Sequence, residues 1–389
     1  MITPFACSVP RRVARQPGFA AAGAEQTAGV STRGIGIEEE FLLFRRDAPR
    51  LLDAGPEVVA AAEEAADDDD AQFEKELKAA QAELATGPGT DLDDVAAELT
   101  ERRGELVRAA AERGGRVVAS GTSPVGDASP TTPNDRYRDM ARTFGAVQRR
   151  QLTCAMHVHV SVESDDEAVR VLDRIGPWLP VVAALSVNSP FHRGEDTGYA
   201  SFRRIQWGLW PTAGPTGPFG DADEYHRTVQ ALVDSGAARD AGMIYFDARL
   251  SANYPTVEIR VCDVATDVRT AVALAALCRG LVTTAADDPS EAKDARRLEL
   301  LRAAHWRAAR FGMAADLVHD GALVPAWRAA DALVEFVTPA LERAGDLERV
   351  QDALRELRRS GTGADRQRAA VRRADGDLGA ALDAATVAA

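Results

Sequence analysis

Gly34-Ile35-Gly36-Ile37-Glu38-Glu39-Glu40-Phe41-Leu42-Leu43-Phe44 reads as a strand that belongs in a core, yet three carboxylates interrupt it. Buried charge persists only where it is paired or holds a cation. On an extended chain, side chains alternate between faces. Glu38 and Glu40 share one face, while Ile35, Ile37, Glu39, Phe41 and Leu43 take the other. Two carboxylates two residues apart form a clamp for a hard cation such as Mg²⁺. Glu39 needs a different partner, which the sequence does not identify.

Three further segments place polar side chains where a core strand would be apolar. In 151–162, Cys154, Met156, Val158, Val160 and Val162 face one way, and Thr153, Ala155, His157, His159 and Ser161 the other. In Val257-Glu258-Ile259-Arg260-Val261, Glu258 and Arg260 share the polar face, as a strand ion pair or as a metal ligand beside an anion-gripping guanidinium. Phe73 to Leu84 contains Glu76 and Glu83, seven apart and so on one face of a continuous helix. If the chain is extended near Gln81, Gln81 and Glu83 share a strand face instead. Taken alone, a surface helix explains this segment better, because Glu, Lys and Ala are good helix formers. His157-x-His159 is also the start of a zinc site, but two more nitrogen or sulfur ligands are not evident, and a satisfied core histidine is the plain alternative for each.

Composition narrows the function classes. A chain of 389 residues with 46% hydrophobic content can bury a large core. A net charge of −14 argues against a general nucleic-acid or anionic-membrane surface. Cys7, Cys154, Cys262 and Cys278 are far apart, which indicates neither a zinc knuckle nor a disulfide framework and suits a reducing cytoplasm. The apolar run Trp178 to Val187 is too short to span a bilayer, and no other run is read as reaching the length needed. The first 30 or so residues, with Arg11, Arg12 and Arg15, superficially resemble a transit peptide; without an apolar segment they read as a disordered extension, 1–32, or an over-long start. Asp67-Asp68-Asp69-Asp70 reads as a solvated turn.

Helices are expected over 57–66, 92–113, from 132–134 onward, over 165–187, 222–234 and 266–285. Strands are expected over 116–120, 242–249 and 255–263. From about 290 the chain reads as helical: 291–310, 314–318, 325–345, 347–358 and an Ala-rich tail. The loop-rich stretch 189–220 is long enough to be functional and is the candidate lid. Strands and helices mix without a βαβ rhythm, which predicts an α+β fold with a largely antiparallel sheet and a helical C-terminal third, in one large domain or two. No Walker or dinucleotide-binding glycine fingerprint is present, so a polyphosphate would be held through metals and arginines.

Gly-Ile-Glu-Glu-Glu-Phe-Leu-Leu (36–43), Thr-Pro-Asn-Asp-Arg-Tyr (132–137), Gln-Leu-Thr-Cys-Ala-Met-His-Val-His-Val (151–160), Asn-Ser-Pro-Phe (188–191), Asp-Thr-Gly-Tyr-Ala-Ser-Phe-Arg (196–203), Trp-Pro-Thr-Ala-Gly-Pro (210–215) and Tyr-Pro-Thr-Val-Glu-Ile-Arg-Val (254–261) together resemble the type 2 glutamate–cysteine ligases. These are bacterial carboxylate–amine ligases distantly akin to γ-glutamylcysteine synthetase. The resemblance covers about 33 to 350 and implies that 33–389 forms a single catalytic ligase domain. It implies a glutamine synthetase-like fold whose antiparallel sheet curves into an active-site funnel, and an ATP- and Mg²⁺-dependent ligation of glutamate, through its γ-carboxylate, to an amine, with cysteine first in line. It implies metal ligands at Glu38, Glu40, Glu76, Glu83, His157 and Glu258, with His159 in a supporting role where relatives carry Asn. Glu38 and Arg260 stand nearest the chemistry, Arg260 on phosphate, Arg203 as the residue that receives the amino-acid substrate, and Arg136 as a weaker candidate. The partners implied are small molecules, with a homodimer as the assembly considered. A zinc hydrolase on His157 and His159, or a nucleotide-binding homologue without turnover, are the rival readings.

Overall fold

The computed structural model describes residues 32–66, 72–126, 128–288 and 297–388. The expectations for the N-terminal extension and the four aspartates lie outside the described residues. The quoted stretch is strand β1 (Ile35–Arg45), and its Glu39 face is buried against helices. Helix α1 (Gly55–Ala65) follows, with a proline in its first turn, where the missing N–H costs nothing.

Phe73 to Leu84 is not a helix. It forms β2 (Gln72–Glu74), a turn, and β3 (Gln81–Ala85), which pairs antiparallel with β1 so that Glu83 lies opposite Glu40. Helix propensities of ordinary residues differ by at most about 0.7 kcal/mol each. A ladder against β1 that also buries Ala82 and Leu84 completely outweighs that preference.

Asp91 caps α2 (Leu92–Glu112), and β4 (Gly115–Val118) pairs with the far end of β1. Asn134 caps α3 (Asp135–Phe144), followed by α4 (Ala146–Arg150) and β5 (Ala155–Ser161). The helix expected over 165–187 breaks into α5 (Asp165–Ile175) and α6 (Leu179–Ser186), because Pro177 and Pro180 lack the N–H groups that a continuous ladder requires. A two-residue hairpin, β6 (Phe191–His192) and β7 (Glu195–Asp196), leads to α7 (Phe202–Trp207) and α8 (Ala222–Asp234). The sheet is completed by β8 (Ala248–Leu250) and β9 (Thr256–Asp263). Its order is β2-β3-β1-β5-β9-β8 with β4 also on β1, and every pairing is antiparallel.

Helix α9 (Val268–Asp287) is long and apolar enough to cross a bilayer by length and composition, which the sequence reading passed over. Here 72% of that span is buried inside the protein, and its Arg279 is buried in a bidentate pair with Asp346, as befits a core helix. Beyond it come α10 (Leu298–Phe311), α11 (Ala326–Ala344), α12 (Leu347–Ser360), α13 (Gly363–Arg373) and α14 (Gly379–Ala385). The helix expected over 314–318 is instead the first arm of a hairpin, β10 (Asp316–His319) and β11 (Ala322–Pro325). Its Asp320-Gly321 turn has positive φ at both residues, 47° and 75°, the pattern that closes two-residue hairpins. The chain end returns to β4, with the Val387 N–H donating to the Val117 carbonyl at 3.0 Å.

Candidate active site

The period of two on β1 works as the sequence predicts. Glu39 points into the helical layer, where it is fully buried and gripped by Arg103 of α2. The Arg103 Nε and Nη2 donate to its two oxygens at 2.7 and 2.6 Å, and the same guanidinium caps the carbonyls of Ala265 and Thr266 at 2.9 and 3.0 Å. Glu38 and Glu40 face the opposite way, into a cleft of about 320 Å³. Glu74, Glu76, Glu83, His157, Arg249 and Arg260 line it with them, and Met140, Trp207, Trp210 and Tyr245 form its apolar wall.

Glu38 and Glu40 do not form one clamp. Each turns to a different neighbouring strand, and two clusters result. Glu38, His159 and Glu258 place ligand atoms within 4.8 Å of one another, and so do Glu40, Glu76 and Glu83. The first arises because β5 sets His159 opposite Glu258 on β9. The second arises because β3 sets Glu83 opposite Glu40, while the turn after β2 brings up Glu76. Glu76 and Glu83 thus meet by strand pairing and not along a helix.

His159, expected in a supporting role, falls in the first cluster. Its Nδ1 is bonded to Thr256 Oγ1 at 2.9 Å, and its Nε2 lies 3.1 Å from Glu38 Oε1 but off the hydrogen-bonding line, so a buried ring nitrogen has no aligned partner. His157 stands between the clusters, Nδ1 at 3.1 Å from Glu38 Oε2 and Nε2 at 3.9 Å from Glu40 Oε1.

Electrostatics divides the clusters further. Burial would raise the Glu38 pKa, but His159 and His157 together outweigh it and hold it well below the carboxylate range. Burial works against the Glu258 carboxylate too, yet Arg249, Arg260 and His159 keep it ionised. In the second cluster, burial and Glu76 push Glu40 up to about 8 and Glu83 well above its ordinary value. Three acids so close cannot all ionise without a counter-charge. Burial also drives His157 down to about 4, with Arg260 adding to it. Burial and crowding thus favour a proton on Glu40 and Glu83, where a cation would relieve the same repulsion, and six oxygen-bearing or imidazole ligands without a thiolate suit Mg²⁺ better than zinc.

Arg260 reaches the cleft from β9. Its Nη1 donates to Glu258, its guanidinium lies 5.7 Å from the Trp207 ring, and its Nε is buried without a partner. Arg203 is 1% exposed, its guanidinium lies 6.0 Å from the Trp207 ring and acts electrostatically on Glu40, and it donates to the Arg260 carbonyl at 3.0 Å. Its Nε and Nη1 lack hydrogen-bond partners, with Asp263 Oδ1 3.7 Å away. A bulge between β5 and β9 turns Asp263 to this face, where Ser189, Ser201 and the Asn188 N–H hold it at 2.7 to 2.8 Å. Arg136 does line the cleft, half-exposed and paired with Asp240. The 189–220 stretch expected as a lid is tied down at Ser189, Ala200 and Thr212, and contributes a wall.

Sequence reasoning missed Arg103, Arg249, Glu74 and Tyr245. Arg249 had a signal: it closes the expected strand 242–249 and, in register, faces Glu258. A separate cavity of about 260 Å³ between the β8–β9 turn, α8 and the start of α5 contains neither cluster.

Comparison with known proteins agrees with this arrangement. The family model for glutamate-cysteine ligase family 2 matches residues 34–384, further than the motifs alone reach. A Nocardioides protein carrying the provisional name glutamate–cysteine ligase 2-1 is 48% identical over 355 residues, 88% of this chain and 92% of the relative. A Streptomyces coelicolor protein, provisionally glutamate–cysteine ligase 2, is 46% identical over 350 residues, covering 86% and 93%. Among solved structures, glutamate–cysteine ligase of Francisella tularensis in complex with AMP aligns with a TM-score of 0.64 at 13% identity, over 91% of this chain and 87% of that one. A bifunctional glutathione synthetase of Pasteurella multocida aligns at 0.65 and 13%, over 91% and 52%. At that identity the likeness is one of fold: the α+β architecture, with its antiparallel sheet and helical C-terminal part, is shared with these ligases. The chain belongs to glutamate-cysteine ligase family 2.

Proposed function

We propose that the protein is an ATP-dependent carboxylate–amine ligase of the glutamate–cysteine ligase kind, joining the γ-carboxylate of L-glutamate to an amine, with L-cysteine as the first amine to test. The observation that carries this reading is the pair of acid clusters beside an arginine with an unpartnered buried nitrogen. Family membership and the AMP complex of a structural neighbour support it.

Glu38, His159 and Glu258 would hold one Mg²⁺, Glu40, Glu76 and Glu83 a second, with His157 within reach of both. Bound there, Mg²⁺ supplies neutralisation and orientation of phosphate and carboxylate oxygens. Arg260 grips the transferring phosphoryl group, where charge spreads over its equatorial oxygens. A carboxylate oxygen of the substrate attacks the γ-phosphorus and the bond to ADP breaks. The amine nitrogen then attacks the carbonyl carbon of the acyl phosphate, inorganic phosphate leaves, and the nitrogen gives up a proton. Trp207, Trp210, Tyr245 and Met140 keep water from the acyl phosphate. Arg136, at the accessible wall, is better placed than Arg203 to meet the α-carboxylate of an amino acid; Arg203 supports Arg260 from behind.

The test is ADP release with Mg-ATP, glutamate and a panel of amines, followed by product mass. The expected result is amine-dependent ADP release that Glu38→Ala and Glu40→Ala abolish while folding is preserved. Turnover unchanged in those variants sinks the metal assignment, and no ADP with any pair favours a homologue that binds nucleotide without turnover.

A further inference from the structure

Two arginines contact the Glu258 carboxylate, and their surroundings differ. Arg249 lies directly across from Glu258 in the β8–β9 ladder. Its Nε donates to Glu258 Oε2 at 2.6 Å and its Nη2 to Oε1 at 3.2 Å. Its Nη1 is spent on the carbonyls of Gly242 at 3.1 Å and Ile244 at 2.9 Å. A guanidinium has five N–H donors, and these four bonds leave it little with which to bind anything that enters the cleft. Arg260 is the opposite case. It donates to Glu258 through Nη1, its Nε is buried without a partner, and aromatic rings of Trp207 and Tyr245, at 5.7 and 5.9 Å, support its flat face without fixing its donors.

We propose that Arg249 is a positioning residue that fixes Glu258 for the cation, and that Arg260 is the arginine that leaves Glu258 when a polyphosphate arrives. This rests on the cation-binding reading of the Glu38, His159 and Glu258 cluster given above. A carboxylate has about four lone-pair sites. Arg249 fills two and Arg260 one, so the two guanidinia together crowd Oε1, the oxygen that His157 Nδ1 also approaches at 4.0 Å. A cation on Glu258 takes the place that Arg260 holds in the free protein, and the displaced guanidinium is then available to the anion. Cation and anion binding therefore favour one another, and by linkage the effect is reciprocal. Arg249, tied to two backbone carbonyls, stays and keeps the carboxylate from rotating onto Arg260 alone.

Mn²⁺ binding to the full chain without nucleotide, read by the electron paramagnetic resonance signal of the free ion, separates the two roles, and inorganic tripolyphosphate serves as the anion probe. Arg249→Met is expected to weaken Mn²⁺ binding about tenfold, the usual effect of losing a residue that orients a metal ligand. Arg260→Met is expected to leave Mn²⁺ binding as tight as in the unaltered protein or tighter, while abolishing the mutual enhancement between Mn²⁺ and tripolyphosphate. Arg249→Lys, which keeps the charge but not the fork, decides the matter if Arg249→Met does not fold, and is expected to weaken Mn²⁺ in the same direction. Mn²⁺ binding unchanged or tightened in the folded Arg249 variant overturns the proposal, as does equal weakening by Arg249→Met and Arg260→Met. No Mn²⁺ binding by the unaltered protein would instead overturn the cation-binding reading itself.

Discussion

Replacing Arg103 by methionine should unfold the protein far more readily without touching the cleft. The substitution leaves Glu39, fully buried, with no counter-charge, because both its oxygens are held by Arg103. Removing one partner of a buried ion pair costs about 3–5 kcal/mol. The carbonyls of Ala265 and Thr266 lose their donor as well, and unsatisfied buried groups cost roughly 1 kcal/mol or more each, which places Arg103→Met at the upper end of that range. Glu39→Gln keeps the shape and one acceptor, so it should cost less, about 2 kcal/mol. The double replacement Glu39→Leu with Arg103→Met removes both charges together and should recover most of the loss, since a well-packed apolar pair is often as stable as the ions it replaces. Denaturant unfolding of the unaltered protein, Arg103→Met, Glu39→Leu and the double variant gives the coupling energy as a cycle, and ADP release measured on the folded fraction gives the second readout. Loss of turnover with unaltered stability would refute the assignment, because it would place Glu39 in the cleft; a double variant less stable than Arg103→Met would refute the ion-pair argument.

Three other perturbations test separate parts of the structure. Glu83→Gln removes one of three crowded acids and should stabilise the protein in EDTA by about 1 kcal/mol while abolishing the stabilisation conferred by Mg²⁺; lower stability in EDTA would count against the crowding. Burial, aided by Arg204 against the pull of Asp247, holds His305 down to about 3, so the unfolded chain takes up a proton near pH 6.5 that the folded chain refuses, and stability is complete above 6.5 and falls as pH drops toward 3. Between pH 6.5 and 5, His305→Leu should flatten that fall, whose limiting slope is about 1.4 kcal/mol per pH unit, and an unchanged slope would remove His305 from the account. Gly363→Ala would set a methyl 2.1 Å from Asn188 Oδ1, and Asn188 is held by the Ala119 and Val264 carbonyls at 2.7 and 2.9 Å, so a cost of about 1–3 kcal/mol in thermal unfolding is expected, against none for Gly126→Ala, where nothing lies within 4 Å.

Much of the site is legible in the chain because strand periodicity is local. Glu38 and Glu40 on one face, the two histidines on another strand, and Glu258 beside Arg260 all follow from alternation, and each lines or adjoins the cleft. What was misread depends on partners distant in sequence. Phe73 to Leu84 has helical composition, and only the ladder offered by β1 makes it a strand. Arg103 lies 64 residues from Glu39 on a helix whose pattern gives no reason to single it out. The β10–β11 hairpin did carry an Asp-Gly turn signal between alternating residues, which the helical run on either side obscured. Arg203 was placed by motif alone, and a motif does not reveal how deeply its side chain is buried.

The two cleft-facing members of the triple glutamate are not interchangeable, and the reason is the order of strands. β1 has β5 along its first half, with Glu38 opposite His157, and β3 farther along, with Glu40 opposite Glu83. The ligand atoms of Glu38 gather with those of His159 and Glu258, and those of Glu40 with Glu76 and Glu83. Each acid therefore joins whatever its flanking strand presents. On the β5 side that is imidazole and, one strand further, a carboxylate that two guanidinia touch; on the β3 side it is more carboxylate, with Arg203 and Arg260 acting on Glu40 too weakly to offset burial and Glu76. One side is kept charged by its neighbours and the other is driven toward protonation, so the same residue type, at one spacing on one strand, gives two ligand sets of opposite electrostatic character. A one-residue slip of β1 would exchange Glu39 for both, burying two acids against Arg103 and leaving one for the cleft, which is why the register of this strand sets the chemistry as well as the fold.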